Sequence, residues 1–289
     1  MAGTGGYGFS EGDGRATEAM FANPLGIALD GAGHLFIADT FNQRVRKMDL
    51  FGGITTVAGT GVRGFSGDGG PATDAVLGNP SGVFVDGAGS IWIADQDNHR
   101  IRKVDTTGKM TTVAGNGHKG FDGDGGPATE AKLADPRGVF VDTDGVLWIA
   151  DRSNHRIRRV DPSGVIETVA GTGLSGFSGD GGPATEAQLR IPSRVFKDMF
   201  GNLLIVDRGN NRIRRVDPSG GITTVTGNGM LTIADTENHR IRQVLPPQRT
   251  LQIEKSVVSI AADGQDGAII LARVTDLEGI RHLMSGSGL

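Results

Sequence analysis

The sequence predicts an all-β fold: a β-propeller of four complete four-stranded blades plus an incomplete or improvised fifth. Three observations carry that expectation. A 56-residue unit starts at residues 2, 58, 114 and 170, and the second and third copies agree at 35 of 56 positions, so one module is repeated. Each copy holds four short β-prone runs separated by turns bearing Gly or Asn. The apolar content of these runs falls from first to last, as expected for sheets packed radially about an axis.

The second unit shows the elements in order. "GVFVD" (82–86) and "SIWIAD" (90–95) are apolar on both faces, which suits inner strands covered on both sides. "RIRKVD" (100–105) is about half apolar and "KMTTVAG" (109–115) is more polar, so these strands lie nearer water. β-solenoids generally use shorter repeats, which favours the propeller. Because strands alternate in direction, the segment "GTGVRGFSGDGGPATDAVLGNPS" and the turn "DQDNHR" emerge together. One face therefore carries the long loops, the usual place for binding on a rigid scaffold. "GPATEA" reads as a helical turn begun by proline.

The fifth copy is truncated. It reads "TGNGMLTIADTENHRIRQV" (226–244) and lacks the innermost strand. The expected organisation is a propeller over 2–245, with units 2–57, 58–113, 114–169, 170–225 and a truncated 226–245. A β-rich tail follows over 246–289. Runs 231–235, 239–245, 250–260 and 268–275 could supply an improvised blade. An open ring would instead present an edge that pairs with a second copy.

"GVFVD…IWIADQDNHRIRKVD…TTVAG" resembles the NHL repeat, and "GFSGDGGPATEAQL" resembles its long-loop bacterial members. The resemblance covers roughly residues 2 to 245. It implies propeller blades acting mainly in recognition, with some related propellers being lyases or lactonases. The tail "IEKSVVSIAADGQDGAIILARVTDLEG" (253–279) resembles the first strands of a bacterial Ig-like domain, though too few residues remain for a whole sandwich. That resemblance implies a larger, modular, extracellular or cell-surface protein.

Composition narrows the function classes. The formal charge of -4 argues against a dedicated nucleic-acid binder. The absence of cysteine removes disulfides and thiolate chemistry. No apolar run approaches the roughly 18 residues of a membrane span, and no signal peptide precedes the first repeat. The 48 glycines cluster between apolar runs without a period of three, which excludes collagen.

Repetition separates framework from variable positions. Asp39/Arg44, Asp95/Arg100, Asp151/Arg156, Asp207/Arg212 and Asp235/Arg240 recur in every copy and are read as turn-capping aspartates ion-paired to arginine, a structural frame. "FDGDGG", with Asp122 and Asp124, offers too few oxygens for calcium. His99, His155 and His239 open third strands, too far from the axis to converge on zinc. The inner strands begin with Asn23, Asn79 and Asp135 at best and offer no acid–base pair. No catalytic residue, metal or cofactor is expected.

The variable positions are basic on blades three and four: Arg137, Arg152, Arg194 (which replaces a glycine), Arg208, Lys119 and Arg190. They suggest an exposed recognition sector for an anionic partner, whether protein, peptide or polysaccharide. Reversing Arg137 and Arg194 is then expected to leave stability nearly unchanged. The alternatives are a propeller lyase or lactonase with a divalent metal at the channel mouth, and an RNA-binding NHL domain. The second suffers from the scarcity of loop aromatics for stacking, with Tyr7 the sole tyrosine.

Overall fold

A computed structural model describes residues 2–10 and 14–225, together with the backbone of Leu231–Asp235, Arg240–Val244, Ser256–Ser259 and Ile269–Arg273. The chain divides into two compact units, Met1–Val225 and Thr226–Leu289. The truncated repeat thus falls in the second unit. That unit contains a four-stranded antiparallel sheet in which Arg240–Val244, Leu231–Asp235, Ile269–Arg273 and Ser256–Ser259 lie in that spatial order. The tail's other residues, and its Ig-like resemblance, lie outside the described residues.

The first unit is four antiparallel meanders, and its architecture is that of a β-propeller. Blade one comprises Pro24–Leu29, Leu35–Asp39, Arg44–Met48 and Gly53–Ala58; a two-residue strand, Gly14–Arg15, extends its outer edge. Blade two comprises Pro80–Val85, Ile91–Asp95, Arg100–Val104 and Met110–Ala114. Blade three comprises Gly138–Val141, Leu147–Asp151, Arg156–Val160 and Ile166–Ala170, and blade four Arg194–Lys197, Leu203–Asp207, Arg212–Val216 and Ile222–Thr224.

The core lies between blades. In one cluster Ala94, Ile101 and Ala114 of blade two meet Val139, Val141, Leu147 and Ile149 of blade three. A β-bulge improves this contact: Ile101 pairs with Ala114 but Arg102 with Thr112, leaving Val113 extra, and Val113 packs on the cluster. Blades one and three repeat the bulge at Val57 and Val169.

The long loops differ from expectation. They do not simply overhang one face, but wedge between neighbouring outer strands. Gly59 N donates to Ala72 O, tying the loop to the end of blade one, while Gly69 N donates to Met110 O and Ala72 N to Gly108 O on blade two. Pro71 precedes a 3-10 turn, Ala72–Asp74, whose Ala72, with Ala75 and Leu77 beyond it, is buried. The reason is the polar outer strand, whose open backbone groups and apolar flank need cover.

At the axis the inner strands touch. A Cβ on Gly82 would sit 2.2 Å from Arg137 O, and one on Gly26 would sit 2.6 Å from Ser81 O. The inner strands of blades one to three thus require glycine where the next blade's backbone passes. Blade four has Arg194 at this position. Its guanidinium donates to Ser193 O at 3.0 Å, to Arg137 O at 3.4 Å and, across the unit, to Leu25 O of blade one at 2.5 Å.

Candidate recognition face

Asp39, Asp95, Asp151 and Asp207 of the frame are fully buried, and the ion-pair partner of the last three corrects the sequence reading. Asp95 stands opposite Arg100 in the ladder, yet its carboxylate pairs with Arg102, 3.3 Å away, with neither side chain exposed. Asp151 pairs likewise with Arg158 and Asp207 with Arg214, both at 3.5 Å. The second oxygen system of each arginine comes from the loop: Asp68, Asp124 and Asp180 lie 2.8, 2.6 and 2.9 Å from Arg102, Arg158 and Arg214. Asp124 is therefore a counter-ion for arginine, as is its equivalent in the neighbouring blades.

Arg100, Arg156 and Arg212 do other work. Arg100 donates to the carbonyls of Asn98 and Asn116, and its guanidinium stacks 3.7 Å from the centroid of Phe65. Phe121 covers Arg156 at 3.7 Å and Phe177 covers Arg212 at 3.9 Å, each with the buried arginine behind at 4.8 Å. Arg44 lies 4.0 Å from the Phe9 ring in blade one. The buried arginines, loop aspartates and phenylalanines were missed because the alternation of "RIRKV" hides which arginine faces inward. Their recurrence in each unit was the available signal. Asp235 and Arg240 pair in register, but their side chains lie outside the described residues.

Burial pushes the Asp95 and Asp151 carboxyls up to about 6, against the opposing pull of asparagine, a backbone amide and arginine. The folded value exceeds the unfolded one, so the extra stability gained by protonating these groups is complete below about pH 4 and is lost as pH rises through 6, where the ionised carboxylate keeps its hydrogen bonds and its arginine. Asp105, Asp161 and Asp217, held by Thr or Ser hydroxyls, are lowered instead. Carbon-detected NMR should find the first pair titrating near pH 6 and the other three below the ordinary range. Titration of all five together would refute the buried frame.

The blades also lock to one another near the inner-strand entries. At the first junction Gln43 bonds Asn79 through both its amide atoms, Asn79 donates to Asp97, and Arg63 pairs with Asp97. At the second, His99 Nδ1 accepts from Asp135 N, while Lys119 and Ser153 each lie 2.7 Å from the Asp135 carboxylate. Hydrogen bonding to Lys119 and Ser153 overcomes partial burial and holds that carboxyl below its ordinary range. At the third, His155 Nδ1 accepts from Ile191 N at 3.0 Å. Asn79 and Asp135 are thus committed to junctions, and so is Lys119. Among the described residues, no three His, Asp or Glu side chains come together as a metal-holding group. His99 and His155 serve separate junctions, and His239 lies outside the described residues.

The predicted basic sector is only partly exposed. Arg190 and Lys119 are exposed, Arg152, Arg194 and Arg208 are half-buried, and Arg137 is 7 % exposed. Arg194 is a strut at the axis, so charge reversal at Arg137 and Arg194 is expected to destabilise the fold, contrary to the sequence reading. The exposed placement failed because residues after the prolines point inward among the inner strands, not outward at a rim.

The family model for the Teneurin NHL domain matches residues 61–122 and 116–177. NHL repeat-containing protein 2 of Bos taurus is 28% identical over 308 residues, spanning 86% of this chain and 41% of that protein. The chain belongs to the NHL-repeat family. Teneurin-1 of Homo sapiens is 30% identical over 229 residues, 70% of this chain but 8% of its own length. This chain thus spans less than half the length of these relatives. A solved structure described as a gluconolactonase superposes with a TM-score of 0.54 at 14% identity, over 92% of this chain and 94% of that one. Likeness at that identity speaks for the propeller fold alone.

Proposed function

We propose that the protein is a non-enzymatic recognition scaffold whose long-loop face binds a protein, peptide or polysaccharide partner through basic positions of blades three and four. The carrying observation is a division of labour. The repeated charges neutralise one another inside blades two to four, whereas Arg152 occupies a position that is Thr40 in blade one and Gln96 in blade two, shared with Arg208 of blade four, and Arg190 one that is Ala22, Gly78 and Ala134 in the other blades. Charge that the frame does not use is charge left for a partner. The propeller is read as extending through the truncated repeat to residue 245, within a larger extracellular or cell-surface protein. No helix among the described residues is long and apolar enough to cross a membrane.

The lyase or lactonase reading draws on the fold likeness, but the polar residues at its inner-strand entries are bound up in blade junctions. The RNA reading is less favoured, since the repeated loop aromatics Phe65, Phe121 and Phe177 each stack on arginines of their own blade. An array of peptides and glycans should yield a ligand whose binding weakens with salt, because exposed charges are screened over about 8 Å at physiological ionic strength. Arg152→Glu with Arg190→Glu should abolish it. Full-strength binding by that variant, or ligand turnover, would overturn the reading.

A further inference from the structure

The three blade junctions of the first unit are built on one plan, and the third departs from it. The first two place a carboxylate beside the neighbouring blade, Asp97 and Asp135, with a cation on each from the loop, Arg63 and Lys119. At the third junction every acidic or cationic member of that network is replaced. Ile191 stands where Asn79 and Asp135 stand, Gly209 where Asp97 and Ser153 stand, and Ser175 where Arg63 and Lys119 stand. The carboxylate is gone.

Cations have been added at the same place. Arg152 lies in the turn of blade three, and its Nε is buried without a hydrogen-bond partner. The charge of Arg137, itself engaged elsewhere, lies near enough to disfavour the Arg152 cation further. The carboxylate that Arg152 senses is Asp135, already held by Lys119 and Ser153. On the facing blade Arg190 is exposed. Its stem lies over the next turn, where a Cβ on Gly209 would come within 2.5 Å of Arg190 Cγ and 2.7 Å of Ile191 Cγ1. Glycine at 209 is what makes room for both. His155, near enough to feel both arginines, is lowered by burial and then by the charges of Arg152, Arg156 and Arg190, which keeps its ring neutral and leaves the arginines as the cations of the junction.

The backbone carries a further mark. Asn23, Asn79 and Asp135 sit at φ 49°, a left-handed conformation that Asn and Asp tolerate. Ile191 adopts φ 42° in the same place. A β-branched residue there is strained, and such strain persists where surrounding structure enforces it, often at ligand sites.

We propose that the junction between blades three and four binds the carboxylate of an acidic peptide, with Arg152 and Arg190 supplying the charge that Asp97 or Asp135 meets elsewhere. This rests on the long-loop face being the recognition face. A planar guanidinium matches a carboxylate through paired N–H donors, which suits Arg152 and Arg190 to this ligand. A peptide is favoured over a uronate-bearing glycan by the neighbouring surface. Leu174, 65 % exposed, precedes Ser175, and the loop phenylalanine that could have stacked on a sugar, Phe177, lies against Arg212.

The test uses the whole chain, an N-acetylated, C-amidated hexaglutamate peptide and tetragalacturonate, read by NMR of the arginine Nε–H resonances. The peptide should shift Arg152 and Arg190 saturably. Ile191→Asp rebuilds the missing carboxylate in place and should weaken peptide binding at least tenfold. Ile191→Asn relieves the same strain without charge and should bind as the wild type does, which separates occupancy of the site from any change in folding. Equal binding by Ile191→Asp, absence of peptide binding, or preference of these resonances for tetragalacturonate would overturn the proposal. Peptide shifts elsewhere on the long-loop face would sink the junction but leave the recognition face standing. Shifts confined to the opposite face would sink both.

Discussion

Asp151→Ala is expected to destabilise the protein by on the order of 3 kcal/mol at pH 7.5, because it removes one partner of a wholly buried ion pair. The loss has several parts. The Asp151 carboxylate accepts from Ala134 N at 2.8 Å and from Asn154 at 2.7 Å, and it faces Arg158 at 3.5 Å. Asp124 still offsets the stranded arginine, so complete unfolding is not expected. A double-mutant cycle identifies the partner: Asp151 and Arg158 should couple by about 1 kcal/mol or more, while Asp151 and Arg156 should be nearly additive. Denaturant melts showing a negligible loss, or coupling to Arg156 instead, would contradict the buried pair.

Gly82→Ala is expected to cost roughly 3 kcal/mol, since the added methyl meets a neighbouring carbonyl that belongs to the tightly packed axis. Arg194, at the equivalent place, behaves in the opposite sense. Arg194→Ala should cost about 2 kcal/mol by removing charge-assisted hydrogen bonds to backbone carbonyls, among them the link to Leu25 of blade one. Glycine is thus required at one blade's inner strand and a long cation at another's. If alanine were tolerated equally at 82 and 194, the inner strands could not be in the contact described.

The fold was readable because the repeat exposes its own logic. Four strands per unit, their falling apolarity and the positions of the turns follow from period-two alternation and from glycine or asparagine at left-handed corners. "RIRKV" shows the limit of that reading. Alternation says that Arg100 and Arg102 share a face, but not that one reaches out beneath Phe65 while the other meets Asp95 and Asp68. That choice depends on a bulge in the neighbouring strand and on a loop thirty residues upstream.

The basic positions teach the same lesson in reverse. Their clustering on blades three and four was evident from the repeats, since Arg137, Arg190 and Arg194 depart from all their copies, and Arg152 and Arg208 share a position that is uncharged in blades one and two. Exposure was not, because a residue after proline at an inner-strand entry can face solvent, a neighbouring blade or the axis. Arg137 turned inward, Arg194 spanned the axis, and Arg190 stayed outside. The sequence alone determined the module, its strand count and which positions vary, because these are local properties of pattern and turn chemistry. Only the tertiary structure decided which charges neutralise one another and which junction lacks its carboxylate. The buried pairs join a strand to a loop 34 residues upstream, and the junctions join neighbouring blades, at separations along the chain that no local pattern records.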